Sequence, residues 1–328
     1  MKYRKLGKTG FEIAEISLGT WQVGGRWGES FNERNADHIL NSAIDAGVNF
    51  IDTADVYGGG LSEKMVGKVV RSRSEEVRVA TKCGRRLNPH TPEAYTPEAL
   101  RIFVEDSLSN SGLEVLDLIQ LHCPPKEVLQ RPEIFGLFEQ LQEEGKILNM
   151  GVSVETVEEA KLAIAWDNVS AIQIIFNMFR QKPAEKFFNE AARKDVGIIV
   201  RVPLASGLLT GRYSMDTVFG KDDHRFFNRQ GTMFDKGETF SGVDFETGLR
   251  AVDELKALFP GRENLAPVAL RWILMFSQVS CIIPGASSPE QLMSNLGAAT
   301  LPALDSREMV EVKRIYDDCL RKDIHPLW

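Results

Sequence analysis

Short apolar runs recur along this chain, beginning near residues 16, 48, 77, 116, 149, 171, 197 and 280. Each is brief, and most end at a polar residue or a glycine. Runs of this length without strict alternation read as strands buried on both faces. All but the last two are joined to the next by about one segment of helical spacing. Residues 35–46 place Ile39, Leu40, Ala43 and Ile44 on one face, with Gly47 as a stop. Thr96-Pro97-Glu98 supplies an N-cap followed by a first-turn proline. Ser288-Pro289-Glu290-Gln291 and Asp305-Ser306-Arg307-Glu308 both have the capping-box form. Eight strand–helix units predict an α/β fold of one kind, a (β/α)8 TIM barrel forming a single domain over 1–328. Residues 3–6 and 11–13 around Gly7-Lys8-Thr9-Gly10 predict an N-terminal β-hairpin, and extra helices are expected near the C-terminus. An open doubly wound sheet is the alternative. The absence of G-x-G-x-x-G after the first strand counts against it.

Composition excludes several classes of function. The net charge is -7 with no basic stripe, so nucleic acid is not an expected partner. The longest uncharged run starts at Trp272 and is interrupted by Ser277, Gln278, Ser280, Pro284 and Gly285, so no membrane span is expected. The N-terminus is basic but leads to no apolar stretch of the signal-peptide type. The four cysteines, Cys83, Cys123, Cys281 and Cys319, form no CxxC pair, which points to reduced thiols in a cytoplasmic protein.

Three consecutive strands close on a charged or titratable residue: Phe50-Ile51-Asp52, Val79-Ala80-Thr81-Lys82 and Ile119-Gln120-Leu121-His122. Tyr57 follows the first of them, ahead of Gly58, Gly59 and Gly60. In a barrel of this type the carboxyl ends of the strands are where chemistry collects. One such residue is as readily a cap or an ion-pair partner; three in succession are harder to explain that way. Cys123 adjoins His122, but no Ser or Cys nucleophile has an obvious base beside it. A tyrosine hydroxyl is a proton donor at neutral pH, and a nearby ammonium lowers its pKa. An aspartate would hold the lysine in place, and a histidine can donate to an oxyanion. This equipment suits protonation of a carbonyl oxygen while hydride arrives at carbon, and hydride requires a nicotinamide.

The stretch Gly47-Val48-x-Phe50-Ile51-Asp52-Thr53-Ala54-x-x-Tyr57-Gly58-x-Gly60-x-Ser62-Glu63 resembles the aldo-keto reductases. So, in family order, do Gly19-Thr20-Trp21, Lys82, Leu121-His122, Gly151-Val152-Ser153, Gln173 with Asn177, Pro203-Leu204, Gly207-Leu208-Leu209-Thr210-Gly211 and Ile283-Pro284-Gly285 with Gln291 and Asn295. The resemblance implies that Tyr57 is the general acid, Lys82 its tuning partner, Asp52 the lysine's counter-ion and His122 the group orienting the carbonyl. It implies that Ser153, Gln173 and Asn177 hold the nicotinamide carboxamide and its neighbourhood. Gly19, Thr20 and Asp52 would lie near the ribose, and Pro203, Leu204, Ser206 and Leu208 along the pyrophosphate. Gly285, Ser287, Ser288, Gln291 and Asn295 would take the adenosine end, where the start of a helix suits phosphate. The implied cofactor is NADP, with NAD also open because serines stand where many NADP-specific members carry a Lys or Arg. The implied partner is a small-molecule carbonyl substrate; the oligomeric state stays open.

Arg201 stands where many members stack an aromatic ring on the nicotinamide. It is read either as a stacking cation and cofactor contact, or as a structural ion pair at the barrel mouth. Val154 follows Ser153 where an asparagine is frequent, which weakens that contact. The loop-like tract 211–243 is expected to form a lid, with Trp21, Trp27, Phe226 and Phe227 walling the substrate pocket. The adenosine segment also resembles that of potassium-channel β subunits, so a cofactor-sensing regulatory subunit is the alternative. A metal-dependent barrel lyase or hydrolase is a third reading.

Overall fold

The computed structural model describes residues 1–23 and 30–328, so Trp27 lies outside the described residues. The chain opens with an antiparallel hairpin of β1 (Tyr3–Lys5) and β2 (Glu12–Ala14). There follow β3 (Leu18–Gly19), α1 (Glu33–Asp45), β4 (Phe50–Asp52), α2 (Leu61–Ser72), β5 (Arg78–Cys83), α3 (Pro97–Ser111) and β6 (Leu116–His122). The alternation continues with α4 (Pro132–Glu143), β7 (Ile147–Ser153), α5 (Val157–Ala163), β8 (Val169–Ile175), α6 (Phe187–Arg193) and β9 (Gly197–Arg201). Two further helices, α8 (Phe245–Leu258) and α9 (Ala266–Leu274), precede β10 (Val279–Ile282), after a single turn, α7 (His224–Phe227). The chain closes with α10 (Pro289–Leu296), α11 (Ser306–Cys319) and α12 (Arg321–Ile324).

Strands β3 to β10 pair in parallel in sequence order. The ring closes where Ser17 N–H donates to Ile282 O at 2.9 Å and Ile282 N–H to Glu15 O at 3.0 Å, so the expected (β/α)8 barrel is formed. The first strand is shorter than the run at 16–18 implies. Ile16 pairs with β10 while Leu18 and Gly19 pair with β4, so the run is divided between its two neighbours.

The interior changes character along its axis. Phe50, Ala80, Leu118, Ala171 and Ile199 form one apolar layer, plugged at the amino end by Leu6, Phe11 and Ile13 of the hairpin. Residues two positions on lie on the same strand face. They are Asp52, Lys82, Gln120, Gln173 and Arg201, all buried. Thus β4, β5, β6, β8 and β9 each contribute an apolar residue below and a polar one above, and the polar layer faces the loops at the carboxyl end. Among the described residues no helix is long and apolar enough to cross a membrane.

Helices α2 and α3 cross at Gly67, where an added Cβ would fall 1.9 Å from Ser111 O. Gly→Ala inside a helix ordinarily stabilises by about 1 kcal/mol. Gly67→Ala is expected to destabilise instead, by about 1–3 kcal/mol, read as a lower urea midpoint; an unchanged or higher midpoint contradicts the close packing.

Candidate active site

The centre of the polar layer is Lys82, fully enclosed on β5. Its Nζ donates to Asp52 Oδ1 at 2.5 Å and to Thr53 O at 2.7 Å, and reaches Tyr57 Oη at 3.4 Å. The second Asp52 oxygen accepts from Gln120 Nε2 at 3.1 Å and Gln173 Nε2 at 2.7 Å. Burial works against the ammonium, but Asp52 and Tyr57 outweigh it and raise the Lys82 pKa. Tyr57 follows β4 on a 3-10 turn (Tyr57–Gly60) in which Gly58, Gly59 and Gly60 have φ of 60°, 63° and 90°. Those left-handed values are what glycine supplies. Burial pushes the Tyr57 hydroxyl up, Lys82 pulls it down, and Asp52 and Glu238 add to the rise. Lysine proximity lowers it, as expected, but burial outweighs the lysine and the net direction is upward.

The His122 and Tyr57 rings lie 6.2 Å apart and nearly perpendicular. Burial, and then the cations Arg85, Lys82 and Arg201, hold the imidazole pKa well below its ordinary value, so the ring is neutral. Its Nδ1 is enclosed without a partner among the described residues. A buried N–H without an acceptor is costlier than a bare acceptor, which places the proton on Nε2.

Asp52, Tyr57 and His122 open into a cavity of about 510 Å³. A second cavity of about 520 Å³ shares Gln22, Leu204, Thr210, Arg212, Arg225 and Gln291 with the first. Together they make one cleft from Tyr57 to Ser287 and Ser288 at the start of α10, where Ser288 Oγ accepts from Gln291 N–H at 3.3 Å. The wall at 202–207 is unusual: Val202, Ala205 and Ser206 have φ of 50°, 47° and 54° without being glycine. Such strain gathers where a ligand fixes the backbone path.

Residues 15–317 match the sequence profile of the Aldo/keto reductase family. The chain belongs to that family. It is 28% identical to aldo-keto reductase YhdN of Bacillus subtilis (strain 168), over 99% of this chain and 97% of that one. It is 27% identical to aldo-keto reductase yakc [NADP(+)] of Schizosaccharomyces pombe, over 96% and 91% of the two chains. Among solved structures it resembles the glycerol dehydrogenase AKR11B4 of Gluconobacter oxydans, with a TM-score of 0.79, 27% identity and 100% and 98% coverage. Aldo/keto reductases are NAD(P)-dependent oxidoreductases acting on carbonyl and alcohol groups.

Within this aldo/keto reductase the cleft gathers Gly19, Thr20, Trp21, Asp52, Gln173, Arg201, Pro203, Leu204, Ser206, Gly285 and Gln291 in its first part. Ser287, Ser288, Gln291 and Asn295 line the second. Other expected contacts are placed elsewhere. Asn177 is fully buried: its amide donates to Val202 O at 2.9 Å and Ser241 Oγ at 2.7 Å, and its oxygen accepts from Phe179 N–H at 2.9 Å. Ser153 is enclosed against Cys123 Sγ at 3.5 Å, and Leu208 is packed in the core. The Gln173 amide nitrogen is turned to Asp52, so only its oxygen remains to meet a ligand. Phe226 is 53% exposed, and neither it nor Phe227 lines the cleft. The turn of α7 directs His224 inward instead, alongside Arg225, and Phe234 joins them from further along the tract.

Arg201 is an ion-pair residue. Its guanidinium donates to Glu155 Oε2 at 2.8 Å and Val154 O at 3.1 Å, and lies 3.6 Å from Glu238. Burial disfavours its charge, but Glu155, Cys123 and Glu238 more than offset that. Gln120, Arg85, Arg212 and Glu238 were not expected at the site. Gln120 had a signal, being two residues before His122 on one strand. The other three sit in loops, where no periodicity marks them.

Asp55 is buried beside this machinery with both oxygens unpartnered among the described residues. Burial first, then the Glu63 charge, raise its pKa from 3.8 to about 7. Between those values the folded chain binds a proton that the unfolded chain does not, so stability falls as pH rises through that window. The loss reaches about 4 kcal/mol at most. Asp55→Asn is expected to remove that slope and to be more stable than the parent at pH 8, measured by urea midpoints at pH 5 and pH 8. Parallel pH profiles for the two proteins would exclude it.

Proposed function

We propose that this chain is an NADPH-dependent reductase of small aldehydes or ketones, with Tyr57 as proton donor. The observation that carries the reading is the chain Asp52–Lys82–Tyr57 beside neutral His122, at the closed end of a long cleft. A bound nicotinamide dinucleotide supplies the hydride. The cleft suits such a ligand: it is elongated, it carries Arg212 and Arg225, and it ends at a helix start with two serines. Gly19, Thr20 and Gln173 would meet the nicotinamide half. Pro203, Leu204 and Ser206 would follow the pyrophosphate with Arg212. Ser287, Ser288, Gln291 and Asn295 would hold the adenosine half. NADPH is favoured because Arg212 borders the cavity that contains those serines, Arg225 there being paired with Asp223; NADH remains an acceptable second cofactor.

In this mechanism the substrate carbonyl oxygen sits between Tyr57 Oη and His122 Nε2. Tyr57 gives up its proton as negative charge builds on that oxygen. Lys82, kept cationic by Asp52, stabilises the phenolate left behind. His122 donates a hydrogen bond to the developing oxyanion without itself carrying charge. The Gluconobacter relative, a glycerol dehydrogenase, is named for a reaction on the alcohol side of the same class. A purely cofactor-sensing subunit has no need for these four side chains to be assembled. All four cysteines are free thiols, which fits the cytoplasm.

Tyr57→Phe is expected to lower kcat for aldehyde reduction by about 10²–10⁴-fold, while NADPH binding, followed by its fluorescence, changes little. Asp52→Asn is expected to impair both, because Lys82 loses its counter-ion. Full turnover by the Tyr57→Phe protein would sink the assignment of the proton donor.

A further inference from the structure

The catalytic cavity has a charged wall that the proton-transfer chemistry does not use. Arg85, two residues beyond β5, and Glu238, on the loop that crosses the barrel mouth, both line it with Tyr57 and His122. Arg85 Nη1 donates to Glu238 Oε1 at 3.0 Å. Behind them Arg201 pairs with Glu155 at 2.8 Å and approaches Glu238 at 3.6 Å. Glu155, Glu238 and Cys123 offer ligand atoms all within 4.8 Å of one another, the donor types of a metal site. Arg201 reaches all three, with Cys123 Sγ at 3.6 Å, and already supplies the positive charge there. A cation is therefore not what this wall lacks.

The balance runs the other way. Two crowded carboxylates repel, and Glu238 is held above its ordinary pKa by burial, against the pull of Arg85. When Glu238 takes a proton, the two guanidiniums exceed the carboxylates by one charge. Arg201 turns Nη2 to Val154, Glu155 and Cys123 and Nη1 toward Glu238, and its Nε, though unpartnered among the described residues, is buried out of reach of a ligand. Arg85 has five N–H donors, and among the described residues one is taken, by Glu238. A guanidinium fork with open donors, facing a cavity, matches a carboxylate or phosphate bidentately.

We propose that Arg85 is a substrate-binding residue that receives an anionic group, carboxylate or phosphate, carried a few carbons from the reacting carbonyl. The proposal rests on the reductase reading and narrows its substrate class. Glu238 acts as the internal stand-in for that anion, holding Arg85 in place until substrate displaces it.

The test compares kcat/KM within two matched pairs under NADPH oxidation: succinic semialdehyde against butanal, and glyceraldehyde 3-phosphate against glyceraldehyde. The anionic member of at least one pair is expected to lead by about tenfold or more, the scale of one charge-assisted hydrogen bond. The leading pair tells carboxylate from phosphate. Arg85→Gln is expected to erase that ratio, and Glu238→Gln to increase it; opposite shifts are not what general misfolding produces. No lead for the anionic member in either pair, or a ratio unmoved by Arg85→Gln, would overturn the proposal. A calorimetric arm with NADP⁺ present separates the two readings. If no aldehyde turns over, the reductase reading fails. Succinate or inorganic phosphate binding to the parent but not to Arg85→Gln still supports the anion site, and binding of neither overturns it.

Discussion

A buried ammonium paired with a buried carboxylate sets the terms for the rest of this barrel. Taking either charge out of water costs several kcal/mol, and attraction between them repays that only when their remaining donors and acceptors are met. Here they are met: Asp52 accepts from Lys82, Gln120 and Gln173, and Lys82 donates to Asp52, Thr53 O and Tyr57. The parallel register makes this possible by placing Asp52 beside Ala80 and Lys82 beside Gln120 on successive strands. Gly151 on β7 contributes as well. A Cβ there would fall 3.3 Å from Gln120 Cγ and 2.8 Å from Ala171 O, so its absence leaves Gln120 room to lie against Gln173. Such a pair is a poor device for stability alone. Its value lies in fixing the ammonium next to a hydroxyl.

The loops above the barrel are held by hydrogen bonds among their own residues. Asn177 ties Val202 to Ser241, and the Ser206 hydroxyl donates to Glu238 O at 3.0 Å while accepting from Phe240 N–H at 3.1 Å. Trp328 donates from its indole to Asp235 at 3.1 Å and packs where a Cβ on Gly242 would fall 2.2 Å from its ring. Arg180, fully buried, lies with its guanidinium 4.5 Å from the Trp328 ring. These contacts fix the segment that carries Glu238 into the cavity. Asn177 thus shapes the cleft from behind.

How much of this was readable from residues alone follows from periodicity. Strands alternate faces, so Phe50 and Asp52, Ala80 and Lys82, Leu118 with Gln120 and His122, and Ile199 with Arg201 declare a common inner side. The barrel and its polar layer were therefore legible. Pairings across loops were not, because Arg85 and Glu238 are 153 residues apart and meet only through tertiary folding. The lid misled for the same reason. Phe226 and Phe227 have the composition of a pocket wall, but one turn of helix decides which side chain faces in, and it turns His224 inward and Phe226 to solvent. Amide side chains near strand ends are equally ambiguous: Asn177 and Gln173 look alike in sequence, and one serves the backbone while the other serves Asp52.

The cations around His122 connect these features to chemistry. Arg85, Lys82 and Arg201 all disfavour a charged imidazole. A ring kept neutral cannot hold a carbonyl by charge; in the proposed reaction it would donate a hydrogen bond whose strength grows as the oxygen becomes anionic. The same three cations favour negative charge at that position once it appears. Tyr57 is kept protonated by burial and by Asp52, and in the proposed reaction the phenolate would find Lys82 at hand. Burial is thus the first cause that keeps both Tyr57 and His122 neutral, and in the proposed reaction the nearby cations would favour the negative charge that develops. Asp52, Glu155 and Glu238 hold these cations in position, each committed to a particular partner: Lys82, Arg201 and Arg85.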